Sequence, residues 1–203
     1  MPQMMPGQKK SFSNFTHSEA CQQLGITELT GWTVKSEPIP ISDYFRQRLT
    51  RLQRFDRVQS EAGKLTLVDA ICEEGLTVTQ CLKVWKGAYL EREHACGTVD
   101  YLVAKRRAYL EDPFACVVQA RDDDFERGEG ECLLVMQACQ WANQRSGRAI
   151  NTYGIVTNGE GWKFYRLAAS GEVSVSLMSG VRNMADLLGQ VSAFLRLCEQ
   201  NLS

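Results

Sequence analysis

Four arginines share one side of a helix that the sequence predicts over residues 44–58. They are Arg46, Arg51, Arg54 and Arg57. Guanidinium groups placed along one helix face can contact the phosphates of a nucleic acid, whose backbone charge supplies much of the affinity of such complexes. A charged outer face is also the ordinary solvated side of an amphipathic helix. The arginines therefore favour a nucleic-acid partner while a simpler interpretation stays open.

The other side of this predicted helix is apolar, and Ser42 or Asp43 is a suitable N-cap. A stripe of four apolar residues recurs at helical spacing: Phe45, Leu49, Leu52 and Phe55. We expect this stripe to pack on the core of the protein and the arginines to face solvent.

Cysteine and histidine show no metal-ligand pattern. The chain has eight cysteines and two histidines, His17 and His94. No two cysteines have the CxxC spacing of a zinc site, and the two histidines are isolated. Several cysteines lie in apolar runs, where a free thiol behaves as a small buried hydrophobe. We therefore predict reduced thiols and a cytoplasmic location.

Composition excludes several classes of protein. Of the 203 residues, 44% are hydrophobic, and 23 Lys and Arg nearly balance 24 Asp and Glu, for a formal net charge of −1. This apolar fraction excludes intrinsic disorder, and the charge balance argues against a surface coated in basic residues. No apolar run approaches the ~18 residues of a membrane helix, so no membrane partner is expected.

The predicted elements divide the chain into two parts. Residues 1–42 are expected to form an N-terminal tail and an extended segment, with a short helix at 17–24 that stops near Gly25. Residues 43–203 are expected to form a single α/β domain. Its strands are predicted at 81–90, 99–104, 114–121, 151–157, 162–167 and 173–177, and its later helices at 61–74, 126–143 and 183–202. Three strands followed by a helical crossover imply a mixed sheet with helices on both faces.

Four short motifs follow one another in the second and third quarters of the domain. They are GTVDYL at 97–102, FACVVQAR at 114–121, GEGEC at 128–132, and YGIVTNG at 153–159 with Trp162 and Phe164. In type, order and spacing they resemble the PD-(D/E)XK nuclease-like domain, and most closely a bacterial branch of that superfamily. The resemblance covers about residues 61–202. It implies an α/β fold with a restriction-endonuclease-like mixed sheet flanked by helices.

The family that the chain resembles is typified by metal-dependent phosphodiester hydrolysis. An Asp on its second strand and an acid on its third bind a divalent metal such as Mg²⁺, and a Lys two residues after that acid orients or activates water. Carboxylate oxygens suit a hard cation, which stabilises charge on the phosphate and lowers the pKa of water. Residues i and i+2 share one face of a strand, which explains the spacing.

The chain departs from this family motif at two positions. Asp100 matches the first acid, but Gln119 stands in place of the second acid and Arg121 in place of the Lys. An amide offers a carbonyl oxygen without a charge, and a guanidinium stays protonated and cannot accept a proton. The acidic run at 122–124 is expected to be a solvated strand end. The motif is therefore degenerate at the positions that carry most of the chemistry.

Two further acids could contribute to the same site. In some families of this fold the acid has moved to the helix after the third strand, where Glu131 lies, so Asp100 and Glu131 together could hold Mg²⁺. Glu61 matches an acid often found on the helix before the first strand. Both acids are more simply explained as ordinary carboxylates near a helix N-terminus, which the helix dipole favours.

Two functions follow from these residues. The first is a nuclease-like hydrolase that is weakened or inactive as a divalent-metal phosphodiesterase, with Asp100, Gln119, Arg121 and Glu61 at the catalytic positions. The second is a module on the same fold that has lost catalysis and binds nucleic acid, DNA for example, or another protein. A homodimer is also open.

Overall fold

Nine strands and five helices are found in the computed structural model, which describes residues 9–56, 61–92, 95–120 and 125–203, without the side chain of Glu61. The strands are β1 (Lys10–Ser11), β2 (Thr30–Trp32), β3 (Leu82–Glu91), β4 (Ala95–Lys105), β5 (Phe114–Ala120), β6 (Thr152–Thr157), β7 (Gly161–Leu167), β8 (Val173–Ser176) and β9 (Ser179–Gly180). The helices are α1 (His17–Leu24), α2 (Asp43–Leu52), α3 (Glu61–Leu76), α4 (Phe125–Arg145) and α5 (Met184–Asn201).

The strands form one mixed sheet. Its main order is β1-β4-β5-β6-β7-β8-β2, with β3 also paired to β4 and β9 to β7. Strands β3, β4 and β5 pair with one another in antiparallel fashion, whereas β6 lies parallel to β5 after the crossover through α4. The α/β class and the mixed sheet predicted from the order of the elements are thus confirmed.

Helices cover both faces of the sheet and bury the middle of β5 completely. Val118 packs in the core beneath α3 and α5, together with Ile71 and Phe194. Its neighbour Val117 packs in the core beneath α1 and α4, together with Leu133. Successive side chains of a strand point to opposite faces, and a strand covered on both faces reads as a continuous apolar run.

The described part of the N-terminal segment belongs to this sheet, although the sequence predicts a tail and an extended segment there. Strand β1 pairs with β4 at Ala95, and β2 pairs with β8. The helix predicted at 17–24 is confirmed as α1, and Gly25 ends it in the left-handed conformation, with φ of 64°. Strands of two or three residues carry too little pattern to be recognised from sequence.

The arginine-bearing helix is shorter than predicted. Helix α2 begins after Ser42, whose hydroxyl accepts the Phe45 N–H at 3.0 Å, and it ends at Leu52. Phe55, expected on the buried stripe, is 58% exposed. Because residues 53–56 are all exposed, a further helical turn over them would gain no stabilisation from packing.

Candidate functional site

Asp100 and Gln119 meet where strands β4 and β5 separate. The ladder pairs Leu102 with Val117 and Tyr101 with Val118. Beyond it, the Asp100 N–H donates to Oε1 of Gln119 at 3.4 Å, and the Ala120 N–H donates to Oδ2 of Asp100 at 2.8 Å. The structure thus brings these two predicted site residues together, and each side chain accepts a bond from the other strand's backbone.

Only one of the two polar groups of the Gln119 side chain, the oxygen, has a hydrogen-bond partner in the described chain. The residue is 0% exposed, and its Nε2 has no hydrogen-bond partner in the described chain. Reversing the amide would bring a donor against the Asp100 N–H, so Oε1 must face that N–H and Nε2 must point elsewhere. A buried donor without an acceptor costs about 1–3 kcal/mol. Most buried polar groups have a partner, and Gln119 Nε2 is one of several buried side-chain atoms in the described chain that lack one.

Glu131 lies two turns into α4 and is only 2% exposed. Water therefore does not solvate this side chain, as it would solvate an acid on an outer helix face. Removing a carboxylate from water is costly unless other groups compensate. Whether Glu131 shares a ligand with Asp100 stays a prediction.

Glu61 is the first residue of α3, and the backbone places this helix start near the end of β6. A hairpin at Asn158 and Gly159 joins β6 to β7: Gly159 has φ of 91°, and a Cβ built on it would lie 3.7 Å from Cβ of Lys64. Thr157, just before the hairpin, pairs with Ala120 of β5. The start of α3 therefore lies at the same end of the sheet as Ala120.

Some predicted site residues lie outside the described part of the chain. Arg121 and the acidic run at 122–124 fall between β5 and α4, and Arg57 follows the end of α2. Their proposed roles stay predictions. The same holds for the Glu61 side chain.

The donor set does not fit a magnesium ion as the family motif would hold one. One oxygen of Asp100 accepts the Ala120 N–H, and the only oxygen of the Gln119 side chain accepts the Asp100 N–H. The group that Gln119 leaves unpaired is an NH₂ donor, which a cation repels. Within the described ranges, no three His, Cys, Asp or Glu side chains assemble into a group that could hold a metal ion.

The arginines of α2 are exposed but differently placed. Arg46 pairs with Asp43 at 2.6 Å in the first turn. Arg51 lies in the last turn, and Arg54 lies in the turn beyond the helix. Neither Arg51 nor Arg54 has a carboxylate partner in the part of the chain that the structure describes. These two cations are thus available to an anionic ligand.

A polar cluster beside the site was not predicted. Asp69 of α3 accepts the Tyr101 hydroxyl at 2.7 Å and the Lys86 ammonium at 2.9 Å. Burial, followed by the hydrogen bond to Asp69, raises the pKa of Tyr101 above its usual range. The cluster joins α3 to β3 and β4 next to Asp100. Its three members lie far apart in sequence, so no local pattern announces them.

A second unpredicted cluster lies between α1, α4 and β7. Glu129 accepts the Lys163 ammonium at 2.5 Å and lies 4.0 Å from Nε2 of His17. That same nitrogen lies 3.7 Å from Sγ of Cys21. Burial and the charge of Glu129 raise the pKa of Cys21, so its thiol is not activated as a nucleophile. The cluster fastens α1 and β7 to α4.

Scans of the chain against protein-family models and against curated proteins gave no match. In the described ranges, no helix combines the length and the apolar character required to cross a lipid bilayer. The site must therefore be interpreted from its own chemistry.

Proposed function

We propose that the chain is a PD-(D/E)XK nuclease-like protein whose phosphodiesterase site is weakened or inactive. The observation that supports this most is the hydrogen-bonded pair formed by Asp100 and Gln119 at the end of β4 and β5. The pair stands where the family that the sequence resembles would place two metal-binding acids. Here one member is neutral, and both accept backbone N–H groups.

The residues give a physical reason for low activity. Gln119 supplies no negative charge to a cation, and the guanidinium of Arg121 cannot take a proton from water. The buried Glu131 can restore the number of negative charges, but it does not replace the compact ammonium of a lysine. We therefore expect the wild-type protein to cleave nucleic acid slowly or not at all.

Restoring the family motif tests this proposal. Replacing Gln119 by Glu together with Arg121→Lys should raise the affinity for Mg²⁺ and Mn²⁺, measured by titration calorimetry, and should create nicking of supercoiled plasmid DNA. The matched control carries the same two changes plus Asp100→Asn, which should abolish the gain. No gain in metal affinity would contradict the assignment of Gln119 to the metal-facing position.

The role of Glu131 is separated by Glu131→Gln in the same assay. If Glu131 is a ligand, the change removes the metal binding of the wild type. If it is only a structural acid of α4, metal binding is unchanged and only the stability of the protein changes. Robust wild-type cleavage that survives both Asp100→Asn and Glu131→Gln would place the chemistry on other residues.

A second candidate function is nucleic-acid binding without cleavage, and it is favoured by Arg51 and Arg54, which are exposed and have no carboxylate partner among the described residues. The change of Arg46, Arg51 and Arg54 to Gln should weaken binding to a short fluorescent DNA duplex and should reduce the salt dependence of the affinity, because fewer counterions are released. The control changes three exposed arginines elsewhere: Arg106, Arg148 and Arg182. Equal affinity of both triple variants would remove α2 from the interface.

A further inference from the structure

A groove runs along the outer edge of the sheet, between β2 and α5, away from the site described above. Its main part has a volume of about 610 Å³ and is lined by Trp32, Lys35, Ala193, Arg196 and Leu197, among others. A second part of about 420 Å³ continues past Glu37 toward Gly189. Both parts share Lys35, Ala193 and Arg196, so they form one continuous groove.

Contacts within the protein hold both walls of the groove in place. Trp32 packs against Phe194 with ring centroids 6.1 Å apart, and the Arg166 guanidinium lies 5.5 Å from its ring centroid. The segment after β2 is held to α5, since the Ile39 N–H donates to the Ala185 carbonyl at 3.0 Å. A Cβ on Gly189 would lie 2.2 Å from the Glu37 carbonyl oxygen, so only glycine allows this approach. A ligand would therefore meet a preformed surface.

Strand β2 lines one end of the groove through Gly31 and Trp32. Strand β2 pairs with β8 alone, in parallel, and its other edge has no backbone partner in the described chain. In a parallel pair, alternate residues direct both their N–H and C=O groups away from the partner strand. Such an edge can accept an additional strand from another chain.

The length of the groove suits a short extended peptide. From Gly189 to Gln200, the α5 wall spans about 16 Å at 1.5 Å per residue. An extended chain covers that distance in about five residues. Between Gly189 and Gln200, the part of α5 that lines the groove is apolar through Ala193 and Leu197. These apolar side chains suit alternate side chains of an added strand.

The charge of the groove is mainly positive, which favours an acidic partner. Lys35 and Arg196 are exposed, and neither has an ion-pair partner in the described part of the chain, while Glu37 is the one acid that lines the groove there. A second copy of this chain would bring the same two cations together across a two-fold axis. A peptide is favoured over nucleic acid, because the free edge of β2 offers backbone N–H and C=O groups that another strand can pair with.

We propose that this groove binds an acidic, extended segment of a partner protein, which adds as a strand to the free edge of β2. Acidic side chains of the segment pair with Lys35 and Arg196, and its apolar side chains pack on Trp32, Ala193 and Leu197. This surface is independent of the proposed nuclease-like site.

Fluorescence anisotropy with a labelled peptide of alternating Glu and Val tests the proposal. We expect saturable binding that falls about tenfold or more when Lys35 and Arg196 are both changed to Glu, since like charges then oppose each other. The control variant, Arg148→Glu with Arg182→Glu, should bind as the wild type does. Circular dichroism verifies that both variants are folded.

Peptide controls identify the mode of binding. N-methylation of alternate amides should abolish binding in the register whose N–H groups face β2 and should spare it in the other register, whose N–H groups face away. The matching Lys and Val peptide should not bind. Absence of binding by the acidic peptide, equal binding of the methylated peptides, or displacement of the acidic peptide by single-stranded oligothymidine would each overturn the proposal.

Discussion

A buried side-chain amide lies at each end of β5, but only one of the two has hydrogen-bond partners for both its oxygen and its nitrogen. At the first residue of the strand, Asn143 of α4 accepts the Phe114 N–H at 2.7 Å and donates to the Phe114 carbonyl at 2.9 Å. At the other end, Gln119 accepts a single long bond and leaves Nε2 unpaired. Both residues are 0% exposed.

The difference separates an amide that stabilises the fold, that of Asn143, from one that is a candidate for function, that of Gln119. A buried amide with both groups paired stabilises the fold, whereas a buried donor without an acceptor costs free energy. The unpaired donor lies at the end of the strand where the sequence predicts the site, so the comparison can be tested by removing each amide.

The largest effect is expected for Asn143→Leu. This change leaves the N–H and C=O of Phe114 buried without partners and should lower the free energy of unfolding by about 3 kcal/mol. Urea denaturation followed by circular dichroism measures it. The adjacent exposed amide provides the control, because Gln144→Leu should change stability by less than about 0.5 kcal/mol. Equal effects of the two changes would mean that the Asn143 bonds do not stabilise β5.

Tyr101→Phe should have the next largest effect, near the Gln119 end. It removes the hydroxyl that donates to Asp69, a bond to a charged group that contributes about 1.5–3 kcal/mol. Since folding raises the pKa of Tyr101, its contribution is present below the pKa of an unfolded tyrosine, near 10. It is lost as the pH rises further.

The free energy of unfolding, measured between pH 8 and pH 11, therefore distinguishes the wild type from Tyr101→Phe. The wild type should lose stability above about pH 10 more steeply than Tyr101→Phe does. Exposed Tyr109 supplies the control, since Tyr109→Phe should keep the wild-type slope. Parallel curves for all three proteins would show that Tyr101 does not titrate differently on folding.

A smaller effect is expected for Asp100→Ala. The Ala120 N–H then loses its acceptor, but this half-buried position can admit water, so the loss should be about 1 kcal/mol. Asp100→Asn keeps an acceptor oxygen and should cost less than the Ala variant. If both variants lose the same stability, the charge of Asp100 matters more than its hydrogen bond to Ala120.

The smallest effect is expected for Gln119→Met, which keeps the length of the side chain. The change removes a long hydrogen bond together with an unpaired donor, so the two contributions should nearly cancel, within about 1 kcal/mol. Thermal unfolding of this variant beside Asn143→Leu gives the direct comparison. A loss as large as that of Asn143→Leu would show that the Gln119 amide has partners that make it structural.

Much of the sheet could be predicted because its signals are local. Strands β5 and β6 are continuous runs of apolar and β-branched residues, and Asn158 with Gly159 marks the hairpin between β6 and β7. The predicted bounds of α4 and α5 agree with the structure within a few residues. Helix α2 was predicted too long, since Phe55 fits the helical period without being buried.

Only part of the site could be predicted. Asp100 and Gln119 were brought together by the resemblance to a known motif, and the structure confirms that they are in contact. The direction of their hydrogen bonds could not be foreseen, because it depends on how β4 and β5 separate. Asp69, Lys86 and Tyr101 come from three different elements, and a contact of that kind depends on the tertiary fold.

The placement of β1 and β2 also has a consequence for the order in which the fold is completed. These strands are among the first described residues to be synthesised, yet Lys10 pairs with Ala95 and Thr30 pairs with Ser174. Long-range pairing of this kind is slow, because a large loop must close before the contacts form. During synthesis, β1 cannot pair before Cys96 has emerged, and β2 cannot pair before Ser176 has emerged, so these two strands join the sheet long after they are made.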